Sequence, residues 1–305
     1  MRRWGGRTAV VTAALVAGLL VEVGPATAAP AVAAPVPRPA AVAPADRFAA
    51  DPTAAGPSPA QAARAAFGPV GSLVVVVAPD EPRRPPGTSA DAAARATEGT
   101  SVAGSADVPV PTASLVKLYL AEGILAGART AGRAVPPEDL ARVEAMLTSS
   151  DDPSASELWV AYDGPAVLAD VVARYGLTGT GPPTPDPGAW GSTRSSAADL
   201  ARFLTALPEV AHPDDAALLL GALGRATPTG ADGFDQSFGL LSPAVDGVEA
   251  AKQGWMCCVD DVAHLHSVGL AGDRVVVLLA AFPPGTDWAV ARAALDAAAA
   301  AALSR

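Results

Sequence analysis

The chain has 305 residues, of which half are hydrophobic and 17% are charged, a composition that favours one globular domain with a sizeable core. The formal net charge is -10 at pH 7, and no basic stripe is present that could neutralise phosphate groups. We therefore exclude nucleic acid as a partner and expect a monomer that acts on a small molecule or a peptide.

Residues 1–28 have the pattern of a secretory signal peptide. An arginine-rich start precedes an apolar run over residues 8–23, and Ala26-Thr27-Ala28 supplies the small residues of a cleavage site. The alternative is a retained membrane anchor, because the apolar run is close to the shortest length that spans a bilayer. No cysteine follows the run, which disfavours a lipid anchor. We predict a secreted or otherwise extracytoplasmic protein with no membrane span after cleavage.

Residues 29–57 are rich in Ala, Pro and Val and predict an extended linker. The folded domain is expected over residues 58–305. It begins with a short helix, because Ser58 is a residue type that caps helices and Pro59 suits the first helical position. The β-branched run at residues 72–78 predicts a buried strand.

Helical periodicity, turn residues and β-branched runs predict the remaining elements. In chain order these are a loop at 79–107, helices at 113–128, 137–147, 156–175 with a break near 164, and 196–207, strands at 250–259, 262–268 and 274–282, and a helix at 287–304. Strands at both ends with helices between them predict an α+β fold, with an antiparallel sheet flanked by helices.

Ser114 and Lys117 lie three residues apart at the start of a predicted helix, so both side chains project from one face. A serine hydroxyl is a poor nucleophile until a base removes its proton, and a lysine can do this when burial lowers its pKa. The spacing therefore predicts a nucleophile and its base. Taken alone the pair is a weak signal, since surface helices produce it by chance.

The scarcity of lysine strengthens this prediction. Only two of the 21 cationic residues are lysines, Lys117 and Lys252, so the chain uses arginine wherever a surface cation suffices. Arginine does not lose its proton in proteins, whereas lysine can act as a base or relay. Both lysines occur in candidate motifs, which indicates that they are present for their chemistry.

Two further motifs follow in order, Ser150-Asp151-Asp152 after a helix and Lys252-Gln253-Gly254 on a strand. Together with Ser-x-x-Lys, this order resembles that of the class A β-lactamases and penicillin-binding serine hydrolases, which carry Ser-x-x-Lys, Ser-Asp-Asn and Lys-Thr-Gly. The resemblance covers the chain from about residue 58 to its end, and implies a β-lactamase or transpeptidase-like fold with a shortened helical lobe.

The resemblance also implies roles for individual residues. Ser114 would be acylated, Lys117 and Ser150 would relay the proton, and Lys252 would bind a substrate carboxylate or acidify Ser150. Substrate contacts are expected at Asp152, Lys252, Gln253, Gly254 and Trp255, and the oxyanion hole would be the backbone N–H groups of Ser114 and Trp255. The implied reaction is acyl transfer on a β-lactam or a D-alanyl peptide, without metal or cofactor.

Three departures from the family pattern affect the expected reaction. Asp152 replaces an asparagine, and an ionised aspartate can accept but not donate a hydrogen bond and would hold Lys117 protonated. Gln253 replaces a short hydroxyl residue. The loop that carries a glutamate base in class A β-lactamases has only Asp186, a shorter carboxylate. The alternative function is therefore a catalytically weak relative that binds a cell-wall peptide or a protein partner.

Cys257 and Cys258 lie across a predicted hairpin from His264 and His266, which raises the question of a metal site. Successive strand residues point to opposite faces of a sheet, so only one cysteine could face both histidines. We predict no metal site here, and expect either a buried thiol or a disulfide between the adjacent cysteines.

Overall fold

The structure is a computed structural model that describes residues 56–80, 99–184 and 186–304. The predicted signal peptide and most of the predicted linker lie outside these residues. Within them, the strands are β1 (Ser72–Pro79), β2 (Ser101–Ala103), β3 (Val110–Pro111), β4 (Arg194–Ser195), β5 (Val248–Val259), β6 (Val262–Ala271) and β7 (Arg274–Phe282). Five of them form an antiparallel sheet in the order β2-β1-β7-β6-β5, and β3 pairs with β4 separately.

The described helices are α1 (Pro59–Phe67), α2 (Val116–Thr130), α3 (Pro137–Thr148), α4 (Asp152–Ala161), α5 (Gly164–Tyr175), α6 (Ala197–Val210), α7 (Pro213–Leu223) and α8 (Trp288–Leu303). None of these is both long and apolar enough to cross a bilayer. The sheet together with these helices confirms the predicted α+β class.

The sheet separates two hydrophobic clusters. On one face, α1 and α8 pack through residues such as Phe67 and Leu295. On the other face, the helices from α2 to α7 surround Tyr119 and Phe203, whose rings meet edge to face at 4.9 Å. Within the described chain, β5 pairs only with β6, so it forms one edge of the sheet. This edge lies next to the turn that precedes α2.

Two predicted elements differ from the structure, and one helix of the structure was not predicted. The helix expected at 156–175 is broken near Gly164 as predicted, but its first half, α4, already begins at Asp152 because the Asp151 carboxylate accepts the Ser154 N–H at 2.8 Å. The loop expected at 79–107 contains β2, which pairs with β1, and residues 81–98 of this loop lie outside the described chain. Helix α7 was not predicted.

The sequence signals for α7 are present in retrospect. Pro213 occupies the first helical position, and Asp214 and Asp215 place negative charge in the first turn, where the helix dipole favours it. His212 is the N-cap residue, and its Nδ1 accepts the Asp214 N–H at 3.3 Å. Its side chain remains about half exposed.

We expect Gly269→Ala to destabilise the sheet by about 3 kcal/mol. A β-carbon at position 269 of β6 would overlap the backbone carbonyl of Ala250 on β5, and backbone in a paired strand cannot move aside. Urea unfolding would measure the change in free energy. Gly127→Ala is the matched control, because a β-carbon on this exposed residue of α2 meets no atom within 4 Å and should stabilise the helix slightly. Equal stability of the two variants would contradict the packing described.

Candidate active site

Ser114 lies in a 3₁₀ turn (Ala113–Leu115) that leads directly into α2. Ala113, the residue before it, has φ 48°, a left-handed conformation that is uncommon for a residue with a side chain. The turn brings the Ser114 hydroxyl to the start of α2, where Lys117 is on the first turn. Lys117 Nζ is 3.1 Å from Ser114 Oγ. The local spacing thus produces the hydroxyl and amine pair that the sequence indicated.

Ser150 comes to the same place from the turn between α3 and α4. It too has a left-handed backbone, with φ 59°. Lys117 Nζ lies 2.5 Å from the Ser150 carbonyl oxygen and 3.4 Å from Ser150 Oγ. The first residue of α4, Asp152, places its Oδ1 atom 2.6 Å from the same ammonium. Four oxygen atoms, from Ser114, Ser150 and Asp152, therefore lie within 3.4 Å of Lys117 Nζ.

Lys252 reaches this group from β5. Its Nζ donates to Ser150 Oγ at 2.8 Å and to the Gln253 carbonyl at 2.8 Å. Ser150 Oγ consequently lies between the two lysine amines. The contacts form a continuous path from Ser114 Oγ through Lys117 Nζ and Ser150 Oγ to Lys252 Nζ, along which a proton can move.

Burial controls the charge of both lysines. Burial lowers the pKa of Lys117 below its ordinary value, and the Asp152 carboxylate opposes this shift. Burial together with the positive charge of Lys117 lowers the pKa of Lys252 well below its ordinary value. Two ammonium groups that share one hydroxyl in a buried site repel each other. The two lysines together are therefore expected to carry fewer than two positive charges.

The edge of β5 lies against the turn that carries Ser114, at Gly254. A β-carbon at this position would stand 3.0 Å from the Thr112 carbonyl oxygen and 3.3 Å from a Leu115 side-chain carbon, so a side chain would push the strand away. The chain just before this turn is also held in place, because His266 Nε2 on β6 lies 2.9 Å from the carbonyl oxygen of Pro111 on β3. Burial lowers the pKa of His266 to about 3, so the ring is neutral and donates this hydrogen bond.

An open cleft of about 260 Å³ lies above Ser114. Its described lining consists of Ala113, Ser114, Asp152, Gly188, Ala189, Trp190, Gly191, Ser192, Trp255 and Met256. The Trp190 ring centroid is 4.9 Å from Lys117 Nζ. Trp190 Nε1 donates to Ser156 Oγ at 3.1 Å, and Trp159 Nε1 donates to the Pro187 carbonyl at 3.0 Å. These two bonds attach the loop before β4 to α4.

The structure brings together Ser114, Lys117, Ser150, Asp152 and Lys252, with Gly254 and Trp255 beside them. It places Gln253 elsewhere. This side chain is 1% exposed, and its amide donates to the Phe238 carbonyl on the opposite face of the sheet. Asp186 is not among the residues lining the described cleft, and its Oδ1 accepts the Gly188 N–H at 2.9 Å within its own loop. Neither side chain contacts the nucleophile.

Asp232 is a site residue that the sequence gave no reason to select. It lies in the loop before β5, and its Oδ2 accepts the Trp255 Nε1 hydrogen at 2.9 Å, while Oδ1 accepts the Phe234 N–H at 2.9 Å. Its negative charge acts on both Lys117 and Lys252. The flanking glycines Gly230 and Gly233 indicate only a turn.

A disulfide joins Cys257 and Cys258, which are exposed near the end of β5. This agrees with one of the two states expected for the adjacent cysteines, and the buried thiol is not observed. Among the described residues, no three His, Cys, Asp or Glu side chains are grouped in a way that could hold a metal ion.

Sequence comparison finds similarity to mycobacterial proteins, whereas no protein-family model matches the chain. The chain is 37% identical over 191 residues to the protein named "Putative lipoprotein LppW" in Mycobacterium tuberculosis (strain ATCC 25618 / H37Rv) and in Mycobacterium bovis (strain ATCC BAA-935 / AF2122/97). The matched region is 61% of this chain and 60% of each relative, so less than two thirds of the relatives' length is covered.

Solved structures with a similar fold include class A β-lactamases. The β-lactamase of Sphaerobacter thermophilus DSM 20745 superposes with a TM-score of 0.57 at 16% identity, covering 81% of this chain and 95% of that one. A class A representative from Bacteroides cellulosilyticus DSM 14838 gives a TM-score of 0.59 at 11% identity, covering 80% and 96%. The chain therefore has the β-lactamase-like fold that its motifs resemble, in a divergent sequence.

Proposed function

We propose that this protein is a serine hydrolase or acyltransferase that acts on β-lactam or D-alanyl-peptide amides through an acyl-enzyme on Ser114. The observation that supports this most is the continuous set of contacts from Ser114 through Lys117 and Ser150 to Lys252. A structural ion pair needs only one lysine and one carboxylate. Two buried lysines on one hydroxyl, next to a second hydroxyl that lines a cleft, are instead suited to moving a proton.

In the proposed reaction, Ser114 Oγ forms a bond to the acyl carbon while neutral Lys117 takes its proton. The carbon–nitrogen bond then breaks, and Ser150 Oγ gives a proton to the leaving nitrogen and regains one from Lys117. Water, or an amine in a transfer reaction, displaces the acyl group and returns a proton to Ser114. Lys252 holds Ser150 in position for its part in the relay. Backbone N–H groups of Ser114 and Trp255 would stabilise the oxyanion.

Hydrolysis of the acyl-enzyme should be slow. In the described chain, the only ionisable group that lines the cleft is Asp152, and it is 2.6 Å from the Lys117 ammonium. A carboxylate engaged in this way is a poor base for a water molecule. We therefore propose a penicillin-binding protein rather than an efficient β-lactamase.

The location that we propose is outside the cytoplasm, in the cell envelope or secreted. The pattern of residues 1–28 supports export. The name of the mycobacterial relatives, a putative lipoprotein, is consistent with an envelope location.

We expect benzylpenicillin to add one penicillin mass to the purified protein, with the adduct on Ser114 and a lifetime of minutes or longer. Intact-mass spectrometry over time and peptide mapping would measure both. A short-lived adduct with consumption of the penicillin would contradict slow deacylation and indicate a working β-lactamase. No adduct with benzylpenicillin, nor with a fluorophosphonate that labels reactive serines, would contradict the enzymatic proposal and favour the binding-protein alternative.

A further inference from the structure

The exposed charge in the cleft is negative, although both lysines of the chain lie beneath it. The Lys117 side chain is 0% exposed, whereas the Asp152 side chain is 61% exposed. Lys252 is 2% exposed, and Asp232 is exposed at the edge of Trp255. A substrate group that enters the cleft therefore meets carboxylates before it could reach either ammonium.

Aromatic surface accompanies these carboxylates. Trp190 and Trp255 both line the cleft. The face of an indole ring attracts cations, and tryptophan does this best among the aromatic residues. Each of the two rings already has a lysine Nζ within 6 Å of its centroid, at 4.9 Å for Trp190 and 5.9 Å for Trp255. Both indoles are thus oriented so that they can stabilise positive charge at this site.

Two contacts hold the Trp255 ring in place. Phe234 stacks on it with ring centroids 4.8 Å apart and an angle of 12° between the planes. Its Nε1 donates to Asp232 Oδ2 at 2.9 Å. A carboxylate that accepts this hydrogen bond shifts electron density into the indole, which strengthens the attraction between the ring and a cation. Asp232 therefore attracts a cation in two ways, directly through its own charge and indirectly through the Trp255 ring.

We propose that the preferred acyl donor carries a cationic group, held in the cleft by the Trp190 and Trp255 rings and the Asp152 carboxylate, with Asp232 beside the cleft at the edge of Trp255. This rests on the proposed function, because it assigns a substrate class to the Ser114 cleft. A quaternary or primary ammonium group fits this lining. A free carboxylate at the same place would face the Asp152 carboxylate and no exposed cation among the described lining residues.

The test compares three 4-nitrophenyl esters that differ in charge. These are the esters of 4-(trimethylammonio)butyrate, of its neutral isostere 5,5-dimethylhexanoate, and of glutarate, which keeps one free carboxylate. We expect kcat/KM to be about tenfold higher for the cationic ester than for the neutral one, and lowest for the anionic ester. Equal values for the three esters, or a preference for the anionic ester, would overturn the proposal.

Asp232→Asn isolates the charge with little change in shape. We expect it to reduce the ratio of kcat/KM for the cationic ester to kcat/KM for the neutral ester several-fold. Any effect of the lost charge on Lys117 and Lys252 acts on both esters alike and cancels in this ratio. Asp246→Asn is the matched control, because Asp246 is an exposed aspartate in the turn before β5 and, unlike Asp232, has no hydrogen bond to a residue that lines the described cleft. An unchanged preference in Asp232→Asn, or an equal loss in both variants, would contradict a role for Asp232.

A ligand-binding experiment that needs no reaction at Ser114 distinguishes failure of this proposal from failure of the proposed function. If no ester acylates Ser114, as judged by intact mass, the enzymatic proposal fails, and binding to Ser114→Ala then decides on the cation site. Quenching of tryptophan fluorescence by butyltrimethylammonium, but not by hexanoate, would support the site in either case. Quenching by hexanoate alone, or by neither ion, would overturn it.

Discussion

Lys117→Arg should reduce the rate of Ser114 acylation about a thousandfold. Arginine retains the positive charge of lysine but cannot give up its proton at any pH that the protein tolerates. If Lys117 acts only as a cation, arginine would preserve much of the rate. If it is the base, the rate is lost. Time-resolved intact-mass measurement with benzylpenicillin gives the acylation rate constant.

A second variant protects this test against misfolding, since Lys117 is fully buried and an arginine is larger. Lys117→Ala leaves space for a small amine, and added ethylamine should restore part of the acylation rate in proportion to the fraction of ethylamine that is unprotonated. Thermal unfolding of both variants identifies any loss of structure. Full activity of Lys117→Arg, or a folded Lys117→Ala variant that ethylamine does not rescue, would exclude Lys117 as the base.

Asp152→Asn should raise the acylation rate at neutral pH by about tenfold, because the Asp152 carboxylate holds Lys117 in its protonated form. Acylation requires the neutral amine, so its rate rises with pH through the pKa of Lys117. Asp152 opposes the lowering of that pKa by burial, and its removal lowers the pKa further. The inflection in the plot of acylation rate against pH should therefore move to lower pH.

Asp151→Asn is the matched control for this change. It removes one negative charge from the neighbouring residue, whose carboxylate caps α4 and does not contact Lys117. Asparagine is also a good N-cap residue, so α4 should be retained. We expect a much smaller shift of the inflection than in Asp152→Asn. An inflection that stays in place in Asp152→Asn, or that moves equally in both variants, would show that the ion pair does not control the base.

Much of the fold could be predicted because its signals are local. The β-branched runs of β1 and β7 and the cap at Ser58 depend on neighbouring residues alone, and these elements occur where they were expected. The break in the helix near Gly164 also depends on neighbouring residues. A β-carbon at position 164 would overlap the Trp159 ring, and Asp163 caps α5. Helix α7 was missed although its N-terminal proline and acidic first turn could have revealed it.

The side chain of Gln253 could have been placed better from the sequence. Strand residues alternate between the two faces of a sheet, so Lys252 and Gln253 must point in opposite directions. With Lys252 facing Ser150, Gln253 faces Phe238 and the cluster beneath α8. Treating the three residues of the motif as one substrate-binding unit overlooked this alternation.

The sequence alone determined the pairing of Ser114 with Lys117, because three residues of helical turn fix which side chains share a face. It also marked both lysines, through their scarcity, as residues used for chemistry. Only the tertiary structure decided the rest of the site. Ser150, Lys252, Trp190 and Asp232 come from separate segments, and their meeting depends on sheet register and loop packing, which involve contacts between residues far apart in the chain. The negative, aromatic character of the cleft follows from that meeting.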